Sequence, residues 1–165
     1  MGHQWAAAVC TAALVSCSSS TPRAVGPVLP TADVPAAVAA AKGMVPGAQF
    51  TEINVSPDGV NVFVVTSPGK ETSYLFGLGA SGDPSVEQAS EGEPFSVEGV
   101  PLDQGTKVAA FAAAQFKGST VTSVALLVVK PNGLVWAVRS QSVKGGLLNT
   151  LFSPDGHVIS ALPAN

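Results

Sequence analysis

Val55-Ser56-Pro57-Asp58-Gly59-Val60 decides how this chain is read. Two apolar runs rich in β-branched residues flank a Pro-Asp-Gly corner, and glycine supplies the positive φ that a tight hairpin turn needs. At a shift of 74, which carries Pro57 onto Pro131, the corner returns as Val129-Lys130-Pro131-Asn132-Gly133-Leu134. The same shift carries Val64 onto Val138, Lys70 onto Lys144, Val34 onto Val108 and Ser81-Gly82 onto Asp155-Gly156. Agreement of so many positions without a gap predicts a tandem duplication.

Outward from the first corner, Phe50, Ile53 and Val55 mark one strand, and Val60 to Thr66 a second. Ser67-Pro68-Gly69-Lys70 turns the chain into a third strand from Thr72 to Leu78. Upstream, Asp33 is an N-cap candidate, Pro35 suits the first turn, and Val34, Ala37, Val38 and Ala41 recur at helical spacing until Gly43 and Pro46. The second copy repeats this order. Asp103 is the cap candidate and Val108, Phe111, Ala112 and Phe116 mark a helix face. Strands follow at Val121 to Val129, Leu134 to Ser140 and Leu147 to Phe152, and a corner at Pro154-Asp155-Gly156 leads to Val158-Ile159.

The expected class is therefore α+β: tandem helix-plus-antiparallel-meander repeats (αβββ-αβββ) over 33–86 and 103–163, with helices packed on one face of a sheet and the other face partly open. Residues 87–102, with Glu87, Glu91, Glu93 and Glu98, read as a solvated acidic linker. The layout over residues 33 to 163 resembles PepSY-like and β-lactamase-inhibitor-protein-like domains, in which a helix packs on a meander sheet. No residue motif of those families stands here, so the resemblance implies no binding residues.

Before the repeats, Trp5 to Val15 is a short apolar run, well under the roughly 20 residues a membrane-spanning helix needs. It ends in Leu14-Val15-Ser16-Cys17 and opens into the polar tract Ser18-Ser19-Ser20-Thr21-Pro22. That arrangement resembles the lipobox of bacterial lipoproteins. The resemblance implies a signal peptide over 1–16, recognition of Leu14, Val15 and Ser16 by a signal peptidase, and lipid on Cys17. It also implies an anchor at the extracytoplasmic face of the cell membrane, since each buried methylene contributes about 0.8 kcal/mol and two chains hold a protein stably. The segment before the run, Met1-Gly2-His3-Gln4, departs from the pattern in having no Lys or Arg. Residues 17–32, with Pro22, Pro27 and Pro30, read as a flexible tether.

Composition narrows the function classes. The 165 residues are 46% hydrophobic and 12% charged, which favours a folded core over disorder. A net charge of -3 with scattered Lys and Arg argues against nucleic acid. With Cys10 in the signal and Cys17 lipidated, the mature chain has no thiol for a disulfide, a metal or catalysis. The abundance of Ala, Gly, Val and Pro resembles that of exported proteins from high-GC actinobacteria such as mycobacteria.

The residues that carry chemistry elsewhere are thin here. His157 beside Asp155 reads as a hairpin-tip residue, and no serine stands in a Gly-x-Ser-x-Gly elbow. Gly77-Leu78-Gly79-Ala80-Ser81-Gly82 lacks the Lys-Ser/Thr ending of a phosphate loop and reads as a loose turn. The four linker glutamates lack calcium-loop spacing, so no metal or cofactor is expected. Trp136 shares its strand face with Leu134 and Val138 and reads as core, whereas Phe63 and Tyr74 are expected partner contacts.

The expected function is a non-catalytic envelope lipoprotein that binds a protein or a wall component through an exposed sheet face. The alternative is a carrier or chaperone for a lipid or apolar small molecule, held between helices and sheet in a cavity of about 300 Å³ or more. An enzyme ranks behind both.

Overall fold

The computed structural model describes residues 28–77, 80–116 and 118–164. The lipobox residues Leu14, Val15, Ser16 and Cys17, and most of the tether, lie outside the described residues.

A single 3-10 turn, Thr31–Asp33, leads into helix α1, Val34–Met44. Val34, Ala37, Val38 and Ala41 are buried, one stripe of a 3.6-residue period, and the opposite face is exposed. Strands β1 (Phe50–Ser56), β2 (Gly59–Ser67), β3 (Lys70–Gly77), β4 (Ala80–Pro84) and the short β5 (Gln88–Ala89) follow. Helix α2 (Gln104–Gln115) opens the second half, which continues as β6 (Ser119–Val129), β7 (Gly133–Ser142), β8 (Leu147–Phe152) and β9 (Val158–Ala164). Asp33 and Asp103 stand at the N-cap positions but make no side-chain cap bond. Both have helical backbone angles, whereas a capping side chain needs an extended residue to turn back on the first amides. Asp103 pairs instead with Lys107 one turn on, at 3.2 Å.

Among the described residues, the strands form one nine-stranded antiparallel sheet in the order β4-β3-β2-β1-β6-β7-β8-β9, with β5 alongside β3. The halves join where β1 pairs with β6, from Glu52 against Leu127 to Val55 against Val124. This overturns the expected α+β class. Among the described residues 48% are strand and 20% helix, a continuous sheet carrying two short helices rather than two helix-plus-meander units. The physical reason lies in the side chains. The helices bury mainly alanine and valine, while the strands supply the large core residues Phe50, Ile53, Leu126, Trp136 and Phe152, all fully buried.

Both helices lie against the sheet face that bears Ile53, Val62, Leu126 and Trp136, and one core runs through both halves. Gly105 lets α2 settle on the indole of Trp136, since a Cβ there would stand 3.1 Å from the ring. The Phe111 ring meets Phe152 edge-on at 5.8 Å.

Two stretches differ from their sequence reading. The last residues of the stretch read as a loose turn belong to a strand, because Ala80–Pro84 pairs back on β3. Gly82 (φ 78°) is needed there, since a Cβ would run into the Phe76 ring. Residues 87–102 are more than a solvated linker. Gln88–Ala89 pairs with β3, and Phe95 exchanges two backbone hydrogen bonds with Phe50, at 2.9 and 2.7 Å. Phe95 and Val97 join the core, while Glu87 to Ala89, Glu91 to Pro94, Ser96 and Glu98 between and around them stay exposed. Phe95 and Val97, apolar and two residues apart, bring the end of this acidic run against the start of β1.

Candidate functional site: the open face of the sheet

Strand residues alternate between faces, so the helix-covered core fixes what lines the other side. Glu52 and Asn54 of β1, Asn61 and Phe63 of β2, Ala125 and Leu127 of β6, Ala137 and Arg139 of β7, and Asn149 and Leu151 of β8 point away from the helices. The ladder sets them in rows. Phe63, Glu52 and Leu127 are directly opposite one another across three strands. The next row runs Asn61, Asn54, Ala125, Ala137, Leu151 and Ser160. Beyond it, Arg139 lies opposite Asn149. Directly opposed residues have Cβ atoms about 5 Å apart, so each row is a contiguous strip.

Two depressions occupy this face and meet at Glu52 and Leu127. The first, about 960 Å³, is lined by Glu52, Phe63, Glu71 and Leu127 and rimmed by Gln88 to Glu93. The second, about 630 Å³, has Ala125, Ala137 and Leu151 on its floor and Asn54, Arg139 and Asn149 on its walls. The alanines keep the floor low between taller neighbours.

The two innermost carboxylates differ in support. Glu71 is 6% exposed. It accepts hydrogen bonds from Thr51 (2.5 Å), Ser90 (2.9 Å) and Gln88 (3.1 Å). Burial pushes its pKa up, but the three donors more than offset this and hold it below the ordinary value. Glu52 is half-buried and has no hydrogen-bond or ion-pair partner among the described residues. Burial raises its pKa first, the neighbouring Glu71 charge adds to the rise, and Arg139 counteracts it. Arg139 is exposed, with its Nε 3.5 Å from Asn149 Oδ1. On the rim, Lys130 is paired with Glu93, and Lys70 and Thr66 hold Glu87.

Of the two expected contact residues, Phe63 stands in this site, half-buried on the wall of the first depression. Tyr74 does not. It is directly opposite Val62, so alternation turns it to the helix side, where it is 8% exposed in the core. The linker acids do not converge, and among the described residues there is no group of three or more His, Cys, Asp or Glu able to hold a metal ion. At the last hairpin, Asp155 accepts from Ser153 Oγ and lies 3.3 Å from His157 Nε2. The acid stands between the other two, so the serine proton faces a carboxylate and the histidine does not activate it. Glu52, Glu71 and Arg139 were missed from the sequence. The signal was there in β1, where polar Glu52 and Asn54 alternate with Ile53 and Val55.

Among the described residues, no helix is long and apolar enough to cross a membrane. No protein-family model matches the chain, and no curated protein does. Among solved structures, a DUF2874 family protein from Bacteroides uniformis is similar at 22% identity and a TM-score of 0.32, covering 80% of this chain and 88% of its own.

Proposed function

We propose that this chain is a non-catalytic envelope lipoprotein, lipid-anchored through Cys17 at the extracytoplasmic face of the cell membrane, and that it binds an envelope protein or wall component on its open sheet face. The observation that carries the reading is the one-sided cover of the sheet. One face is closed by α1 and α2 over fully buried side chains, while the other is a trough with an aromatic wall, a low apolar floor and charged groups at both ends. Binding surfaces pair apolar patches with polar groups that fix register in this way.

Photo-crosslinking of the full-length protein in a bacterial host tests it. A crosslinker at Phe63 or Leu127 is expected to trap a discrete adduct, and one at exposed Ala36 on α1 is not. Equal labelling at all three positions overturns the binding face. For the anchor, mass spectrometry is expected to find acylated Cys17 as the first residue, and Cys17→Ala is expected to release the protein from membranes. Full-length, unacylated chains in the cytosol overturn that part.

A further inference from the structure

The charge on the trough is uneven, and this says what kind of partner segment suits it. The first depression presents Glu52, Glu71 and Glu91, while the one lysine on its wall, Lys130, is already paired with Glu93. Glu71 is already held by three donors. Glu52 is not, and it lies between the Phe63 ring on one strand and Leu127 on the other. A carboxylate without a donor, beside an aromatic ring and an aliphatic side chain, is complementary to a positive group on an aliphatic stem. The stem packs on Leu127, the cation meets the ring face, and its N–H groups reach the carboxylate.

The remainder of the trough favours a chain over a small amine. Small-molecule sites bury most of their ligand in an enclosed pocket. Here the floor continues past Glu52 over Ala125 and Ala137 toward Arg139, an open path lined by the hydrogen-bonding side chains of Asn54, Ser123 and Asn149. Acidic at one end and basic at the other, the path matches an extended segment with a basic side chain at one end.

Resting on the open-face reading above, we infer that the trough takes an extended peptide segment of a protein partner and reads a lysine or arginine of that segment between Phe63 and Glu52. The raised pKa of Glu52 is consistent with this, because a bound cation stabilises the ionised form that burial disfavours.

The test uses the folded protein, isotope-labelled, and three short peptides, acetylated and amidated, that differ only at one position near an end, which is lysine, norleucine or glutamate. In NMR titrations the lysine peptide is expected to shift the amides of Glu52, Phe63 and Leu127 and to bind about tenfold more tightly than the norleucine peptide, with the glutamate peptide weaker still. Glu52→Gln is expected to remove the lysine preference, and Phe63→Leu to reduce affinity about threefold. Equal binding of the lysine and norleucine peptides at the trough overturns the cation inference and leaves the open-face reading standing. Butylammonium binding as tightly as the lysine peptide overturns the peptide assignment in favour of a small amine. No shift on this face with any probe overturns the peptide inference, while the crosslinking test decides the open-face reading independently.

Discussion

The two faces of the sheet are built from the same strands and obey different rules. On the covered face, Ile53, Val55, Val62, Leu126 and Trp136 are fully buried and meet the alanines of two short helices. On the open face, one residue along each strand, stand Glu52, Asn54, Asn61 and Arg139. Alternation along the strands allots stability to one side and chemistry to the other. The division is incomplete. Buried polar atoms without a hydrogen bond occur on both sides: Asn54 and Asn61 on the open face, Trp136, Ser140 and Thr150 on the covered one.

Cutting into the covered face is expected to cost most. Trp136→Ala removes the largest fully buried side chain and is expected to lower stability by about 3–5 kcal/mol in urea denaturation. Ala125→Ser on the open face is expected to stay within about 0.5 kcal/mol. Comparable losses would mean that the open face is structural.

Glu71 is an open-face carboxylate with a structural task. Glu71→Ala strands the donors of Thr51, Gln88 and Ser90 and is expected to cost about 1–3 kcal/mol at neutral pH. Because folding lowers this pKa from an ordinary 4.5, its contribution is full above that value and is lost as pH falls through the folded pKa. The gap between wild type and Glu71→Ala therefore closes in acid, and denaturation curves across that range check it.

Glu52 carries the opposite sign. Its folded pKa is raised, so folded chains hold the proton longer than unfolded ones, and stability falls as pH rises from 4.5 through the folded pKa. Glu52→Gln is expected to be slightly more stable than wild type at neutral pH, with a gap that shrinks in acid. A variant less stable than wild type at neutral pH would mean that the carboxylate has a supporting role in the fold. The smallest expected effect is at Asn54. Replacing a buried acceptor that has no partner, as in Asn54→Val, is expected to raise stability by up to about 1 kcal/mol in thermal denaturation.

Much of the local structure was legible in the sequence. The Pro-Asp-Gly and Pro-Asn-Gly corners, the strands beside them, the helix stripe at Val34, Ala37, Val38 and Ala41, and the core position of Trp136 follow from turn chemistry and periodicity. The fold class was not legible, because a clean helical pattern says nothing about its share of the core. Small alanines gave it a minor share. Strands β4 and β5 were hidden by glycine, proline and acids, and their pairing with β3 is settled by distant partners. Tyr74 was misplaced by a single step of alternation, the smallest error a strand permits and one that reverses the face. The trough was invisible because Glu52 and Arg139 lie 87 positions apart in the chain and are brought to one surface by pairing across the middle of the sheet.

That middle pairing has a mechanical side. β6 and β7 bond from Ser119 and Ser142 to Val129 and Gly133, whereas β1 and β6 bond only from Glu52 and Leu127 to Val55 and Val124. The ladder between the halves is thus the shorter of the two, and Thr106 Oγ1 donating to Thr31 Oγ1 at 3.0 Å adds a side-chain link across the same divide. Glu52 and Leu127 form the last rung of that ladder, so any strain between the halves is felt directly where the two depressions meet.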